Sequence, residues 1–242
     1  MGADRRFSRE YFEQVFGDDD DPWDYSNGYE TLKYRQTLSL MPTAPRSRVL
    51  EVGCAEGAFT CQLAGEVGEV VAVDIAGAAL RRARDRCGGL SNVSFARLDL
   101  FEDELPGAFD GVVCSELLYF AGSADRVRET GQKITAALSH GGWLLTAHAH
   151  VLVDDADSPG FDWAVPFGAK RLNGILAGVV GLELECEAIS DLYRIGAFRR
   201  VDWSGPSPAR PRIIRIDHGE LTPELVRYAR FPSGGEPELG SE

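Results

Sequence analysis

Strand-like apolar runs alternate with stretches of helical spacing over most of this 242-residue chain. That rhythm predicts an α/β fold, a doubly wound and mostly parallel sheet with helices on both faces. Two stretches carry the prediction. Arg48 to Asp74 reads as strand, tight turn, helix and strand, and its first apolar run, Val49 to Val52, is of the kind buried on both faces. Further on, Leu182 to Ile189 alternates apolar and polar residues and Leu192 to Val201 reads as a last strand, giving a seven-stranded sheet with one antiparallel edge strand. The chain divides into an N-terminal helical lid (1–47), a core (48–201) with a loop at 151–172, and a partly disordered C-terminal extension (202–242).

In the first segment, Ser8 caps a short helix whose apolar face is Tyr11, Phe12, Val15 and Phe16. Gly17 to Trp23 is a turn. Its run Asp18 to Asp21 lacks the alternating ligands and distant Glu of a calcium loop, and reads as solvated. A second helix runs from about Gly28 to Met41 and ends before Pro42, accompanied by Tyr25, Tyr29 and Tyr34. After the strand at Val49 to Val52 comes the turn Gly53-Cys54-Ala55-Glu56-Gly57, whose glycines let backbone pass close to a ligand. The next helix carries Phe59, Leu63, Ala64 and Val67, Gly68 stops it, and Glu69 to Asp74 is a strand with an acid at its carboxyl end. Asp74 stands 21 residues after Gly53, the distance at which such a carboxylate takes two ribose hydroxyls.

Glu51 to Gly57 resembles the first motif, E/D-x-G-x-x-x-G, of the class I S-adenosylmethionine (SAM)-dependent methyltransferases, whose fold is Rossmann-like. A dinucleotide fingerprint would need Gly at 55 and 58, and both are Ala. Glu56 in the turn would repel a pyrophosphate, whereas a sulfonium tolerates an acid. Asp21-Pro22-Trp23, with Tyr29-Glu30 and Lys33-Tyr34, resembles the N-terminal lid of the nodulation-factor N-methyltransferases, which methylate a sugar amine on a chitooligosaccharide. The resemblance spans roughly residues 10–200. It implies a lid whose aromatics close over the cofactor, with Tyr25 and Tyr34 among its contacts. It further implies that Glu51, Gly53, Cys54, Ala55 and Gly57 cradle SAM, that Asp74 and Ile75 meet the ribose side, and that Asp99 accepts from the adenine amine beside Leu100. Ser115, Glu116 and Tyr119 would lie next to the transferring methyl.

After Asp74 a helix from Gly77 to Cys87 carries Leu80 and Ala83, with Arg81, Arg82, Arg84 and Arg86 as a solvated face. Val93 to Leu100 is the third strand. Phe109 to Glu116 is the fourth, similar to the family's F-D-x-V/I motif. A helix from Asp125 to Ser139 is capped by His140-Gly141-Gly142. On the fifth strand, Trp143 to His150, the histidines His148 and His150 are two apart and point the same way. Residues 151–172 break the rhythm with acids, Gly, Pro and aromatics, as a substrate loop does. A helix resumes over Leu172 to Val180. In the extension, Arg212 to Ile216 is a candidate short strand and Thr222 to Arg230 a short helix, with disorder from Pro232.

A net charge of −13 and a pI near 4.8 argue against a nucleic-acid substrate, because phosphate binding rests on Lys and Arg. They suit a neutral or amine-bearing small molecule. Five Cys, at 54, 61, 87, 114 and 186 with no C-x-x-C, imply neither a disulfide framework nor a zinc cluster. The polar start Met1 to Glu10 and the lack of a long apolar run point to a cytoplasmic protein without a membrane span, monomeric or homodimeric.

Methyl transfer from SAM is an in-line displacement: an acceptor lone pair must be placed close to the methyl, and an ammonium or hydroxyl acceptor needs a base. His148 and His150 are the expected bases, since imidazole titrates near neutrality. Trp23, Asp154, Asp155 and Trp163 are the expected substrate contacts, the acids for an amine or hydroxyls and Trp163 for a pyranose face. His148, His150, Asp154 and Asp155 fall within eight residues, but one local segment would have to wrap a metal ion without a remote ligand, so no metal is expected. The function that follows is methyl transfer to N or O of a small molecule, a sugar or sugar-containing natural product. A protein or nucleic-acid methyltransferase is disfavoured by the acidic balance and by Ser115-Glu116-Leu117-Leu118 in place of an N/D-P-P-Y/F tetrad. A silent SAM-binding scaffold is disfavoured by the intact Gly53, Gly57, Asp74 and Asp99.

Overall fold

The computed structural model describes residues 7–42, 46–154, 160–202 and 210–216. Its strands are β1 (Arg48–Val52), β2 (Glu69–Asp74), β3 (Val93–Arg97), β4 (Phe109–Ser115), β5 (Leu138–Ala149), β6 (Leu182–Ile189), β7 (Tyr193–Arg200) and β8 (Arg212–Arg215). They form one sheet in the order β3-β2-β1-β4-β5-β7-β6-β8. The predicted fold class stands, with eight strands rather than seven among the described residues. Arg212–Arg215 pairs parallel to β6, placing Ile213 beside Glu187, and takes the edge. The reversed strand, β7, therefore lies inside the sheet, antiparallel to both β5 and β6.

Burial explains the apolar runs. Val49, Val113, Trp143 and Leu145 pack on one face with Phe59 and Leu63 of α3 (Ala58–Leu63). Leu50, Val52, Val112, Cys114 and Leu144 pack on the other with α5 (Ala124–Ala137) and α6 (Ala169–Leu176). Gly111 of β4 is small for a reason of space: a Cβ there would lie 2.1 Å from the Trp143 ring. Overpacking of this kind costs about 1–3 kcal/mol, so Gly111→Ala lowers the free energy of unfolding by that amount, read as a lower urea midpoint. An unchanged midpoint would show that Trp143 moves aside freely.

Two helices precede the sheet, α1 (Arg9–Asp18) and α2 (Gly28–Leu40), and α4 (Gly77–Arg86) follows β2. Ser8 caps α1 as predicted, its hydroxyl accepting from the Tyr11 amide at 3.3 Å, and Asn27 caps α2 through the Glu30 amide at 2.8 Å. Glu13 of α1 accepts from the Gly77 amide at 2.6 Å, a carboxylate at the N-terminus of α4, and this holds α1 over the carboxyl ends of the strands.

The structure corrects several local expectations. Leu138 pairs with Phe109, so β5 begins directly where α5 stops, and His140-Gly141-Gly142 lie within the strand rather than capping the helix. The helix α6 starts at Ala169, inside the expected loop, and Val151 bridges to Phe161. The arginine face of α4 is not simply solvated: Arg82 pairs with the buried Glu56 at 2.7 Å, and Arg86 with it at 3.9 Å. Glu56 is thereby neutralised instead of presenting charge to a ligand. Cys61 of α3 and Cys87 after α4 form a disulfide, 26 residues apart in sequence, where none is expected. The proposed helix at 222–230 and the tail from 232 lie outside the described residues.

Candidate active site

Strand order reverses between β1 and β4, and a crevice opens at their carboxyl ends, where open α/β sheets bind ligands. Its floor is Glu51, Val52, Gly53, Cys54 and Ala55 after β1, Asp74 and Ile75 after β2, and Val113, Ser115, Glu116 and Leu117 along and after β4. Phe12 and Phe16 of α1, then Trp23 and Tyr25, then Glu30 and Tyr34 of α2 close it from above. Ala58, Phe59, Phe120 and Trp163 complete the walls.

The backbone at the floor is specialised. Gly53 has φ 73° and Ala55 φ 46°, both left-handed, and the Gly53 and Cys54 amides both donate to the Val73 carbonyl, at 2.8 and 3.0 Å. This fold-back brings the Ala55 amide to Asp74 Oδ2 at 2.9 Å, while Oδ1 accepts from the Ala76 amide at 2.8 Å. A Cβ on Gly53 would stand 3.0 Å from the Leu117 side chain. Burial pushes the Asp74 carboxyl up to about 6 and the Glu51 carboxyl up to about 8.

Glu116 is the most constrained acid here. It follows β4 with φ 52°, a conformation that non-glycine residues adopt at a cost of about 1–3 kcal/mol when the surroundings hold them there. Those surroundings are visible. Its Oε1 accepts from the Tyr29 hydroxyl at 2.8 Å and from Lys33 Nζ at 2.6 Å, and its Oε2 accepts from the Ala149 amide at 3.3 Å. Lys33, fully buried, also pairs with Glu30 at 2.8 Å, and its ammonium lies 4.5 Å from the Tyr29 ring centre. Burial pushes the Glu116 carboxyl up, and Lys33 opposes that rise. Sequence reading named Glu116 but not Tyr29, Glu30 or Lys33 as parts of the site, nor Phe12, Phe16, Phe59 and Phe120 as walls. Lys33 and Glu116 stand 83 residues apart, and only the resemblance of the lid pointed to the first of them.

Of the predicted site residues, Trp23, Tyr25, Tyr34, Glu51, Gly53, Cys54, Ala55, Asp74, Ile75, Ser115, Glu116 and Trp163 line the cavity. The others do not. His148 is wholly buried in β5 and its Nε2 accepts from the Leu117 and Leu118 amides, at 3.4 and 3.1 Å. Its Nε2 lone pair is therefore engaged by the turn after β4, and burial holds the imidazole down to about 3, which places it poorly for proton transfer in the cavity. His150 is also buried away from the cavity walls, between backbone bonds to Leu192 and Phe161. Tyr119 is buried behind the site, its hydroxyl accepting from the Ala149 amide at 2.7 Å. Gly57, with φ 78°, begins α3 and leaves room for Ala83, only 3.2 Å from where a Cβ would be. Asp99 turns to its own loop, accepting from the Phe101 amide at 3.0 Å, and Leu100 is buried in the core. Asp154 accepts from the Arg171 amide in the first turn of α6 at 2.8 Å. Asp155 lies outside the described residues. Among those described, no three His, Cys, Asp or Glu side chains gather to hold a metal ion, and no helix is long and apolar enough to cross a membrane.

The donor set fits a cationic adenosyl cofactor. Four carboxyls face the cavity, those of Glu30, Glu51, Asp74 and Glu116, and aromatic faces surround them. Glu51 Oε2 is buried without a hydrogen-bond partner, an acceptor waiting for a donor. With its carboxyl at about 8, Glu51 is largely protonated near pH 7 in the free protein, and a bound cation favours the ionised form. Binding of S-adenosylmethionine, whose sulfonium is such a cation, therefore releases protons at neutral pH. The proton count is read by calorimetry in buffers of different ionisation enthalpy, and a heat independent of buffer would overturn this assignment.

Crevice, glycine turn, strand-end aspartate and acidic, aromatic-walled cavity together define a class I SAM-dependent methyltransferase of Rossmann-like fold. The sequence model of the nodulation protein S (NodS) family matches residues 10–153, and the chain belongs to that family. Nodulation protein S of Rhizobium tropici is 32% identical over 186 residues, covering 74% of this chain and 76% of that protein. The crystal structure of N-methyltransferase NodS from Bradyrhizobium japonicum WM9 in complex with S-adenosyl-L-homocysteine superposes with TM-score 0.65 at 27% identity, covering 78% of this chain and 97% of that one. A phosphoethanolamine N-methyltransferase 1 from Haemonchus contortus has TM-score 0.68 at 16% identity over 93% of this chain and 53% of its own, a likeness of fold.

Proposed function

We propose that this chain is an N-methyltransferase that methylates the amine of a small hydroxylated molecule, an amino sugar in the first place, with Glu116 as the base. Glu116 carries the reading: a carboxylate held into the cavity by a strained backbone, at the exit of β4. SAM, when bound, supplies a methyl made electrophilic by its sulfonium. The Glu116 carboxylate would take an acceptor ammonium and accept its proton, freeing the nitrogen lone pair for attack. Asp74 is the acceptor for ribose hydroxyls and Glu51 the partner for a cationic group. Residues 1–47 act as the lid on the core at 48–201, their aromatics excluding water from the reacting atoms. Trp163, stacked on Phe161 at 4.6 Å and on the cavity wall, offers a flat face to a sugar ring.

The test is transfer of radiolabelled methyl from SAM to glucosamine and to a chitooligosaccharide with one free amine, each beside its fully N-acetylated counterpart. Label in the free amines alone supports the reading. Equal label in the acetylated sugars would point to hydroxyl methylation, and no label in any would remove amino sugars as acceptors.

A further inference from the structure

The cavity's base is not isolated. Lys33 reaches it from the lid, fully buried, with its ammonium 2.6 Å from Glu116 and 2.8 Å from Glu30. A buried lysine persists only when paired, and here the pair joins α2 to the residue that follows β4. The arrangement is that of an ammonium site: two carboxylates and an aromatic face, Tyr29, around one cation. It is the environment an acceptor amine would need, already built by the chain for its own side chain.

We propose that Lys33 is the positioning residue of the site: it keeps the Glu116 carboxylate ionised and aimed, so that seating the lid and readying the base are one event. This deepens the reading of Glu116 as base and rests on it. The bonding supports the role. Lys33 holds Oε1 and leaves Oε2 with the weaker Ala149 contact at 3.3 Å, so one oxygen is fixed and the other remains available to an incoming donor. The net charge of Glu30, Lys33 and Glu116 is −1, which one acceptor ammonium neutralises.

Other groups around Glu116 set the sign of what is expected. From α2, Tyr29 donates to it and Glu30 repels its charge, while Tyr34 shares the cavity. Glu51 of β1 lies across the same cavity, and His148 of β5, neutral, and Tyr119 close it from behind. Lys33 is the cation among them that touches the carboxylate. An opposite charge at such range holds a carboxyl down by about 1–3 units.

The experiment follows the Glu116 carboxyl directly, by ¹³C NMR of protein labelled at glutamate side-chain carboxyls, the resonance being assigned by its loss in Glu116→Gln. No acceptor is needed. In Lys33→Met the titration midpoint of Glu116 moves up by about one unit or more. In Lys33→Arg it stays near the wild-type value, and in Glu30→Gln, which removes a like charge, it moves down. S-adenosylhomocysteine affinity stays within about threefold in Lys33→Met and Lys33→Arg. A Glu116 midpoint unmoved in Lys33→Met overturns the proposal. So does a loss of S-adenosylhomocysteine binding with that midpoint fixed, which would make Lys33 a cofactor ligand. Should Lys33→Met fail to fold, Lys33→Gln is read in its place, an upward Glu116 midpoint supporting the proposal and an unmoved one overturning it. The base reading fails separately, if Glu116→Gln transfers methyl at the wild-type rate.

Discussion

Glu116→Gln lowers the rate of methyl transfer to an amine acceptor by about 10²–10⁴-fold, the usual contribution of a positioned base. S-adenosylhomocysteine affinity remains within about threefold. The amide keeps the size of the side chain and its contact with Tyr29, so the fold at φ 52° is retained. What it lacks is the negative charge that takes the acceptor's proton. It also leaves the Lys33 ammonium with Glu30 alone of its two carboxylates, so thermal stability drops together with activity. Two measurements separate these effects. The rate is compared at saturating acceptor, and the variant is supplied with acceptor at high pH, where the amine is already neutral. Recovery of rate with rising pH in the variant identifies proton removal as the missing step. Equal rates in variant and wild type across the range would return Glu116 to a structural role.

The contrast between Glu116 and His148 shows what sequence could and could not reveal here. The β1 turn was legible because its signal is local: an apolar run, two glycines with φ above 70°, and an acid at the end of the next strand, all within 27 residues. Asp74 and the glycine turn fall where spacing puts them. The histidines share a strand with the right alternation, and alternation gives direction but not depth. In β5, covered by α2 on one face and by α5 and α6 on the other, that direction leads into packed protein, where imidazole serves as an acceptor for the turn after β4. Glu30, Lys33 and Glu116 meet across 83 residues of chain, and nothing in the local pattern of either segment announces the pair. The same holds for Glu56 with Arg82 and for Cys61 with Cys87, whose partners are brought together only once α3 and α4 pack side by side. Asp99 lies outside the cavity lining for a different reason. It sits past the end of β3, which closes at Arg97, and a short turn claims its carboxylate for the Phe101 amide.

Asp74 carries the second large effect, and its sign can be worked out in full. Burial raises this carboxyl from 3.8 to about 6, so the folded chain holds the proton more tightly than the unfolded chain does. Its own contribution to stability is therefore complete below about pH 4 and is lost as pH rises through about 6. Cofactor binding runs the other way, because ribose hydroxyls are donors and the ionised carboxylate is the better acceptor. The Asp74 part of S-adenosylhomocysteine affinity is complete above about pH 6 and falls as pH drops through it, by up to about tenfold per unit. Protonation of Glu51 belongs to a separate step near 8, so the two are resolved by calorimetry between about pH 5 and about pH 9. Asp74→Asn removes the lower step and weakens binding about 10²-fold at neutral pH, as expected for losing charge-assisted bonds to two hydroxyls. Asparagine is the informative replacement: one oxygen can still accept from the Ala55 or the Ala76 amide, whereas alanine releases both and unties the turn itself. An affinity that is flat through pH 6 in the wild type, or unchanged in Asp74→Asn, would mean that the carboxylate serves the turn and not the cofactor.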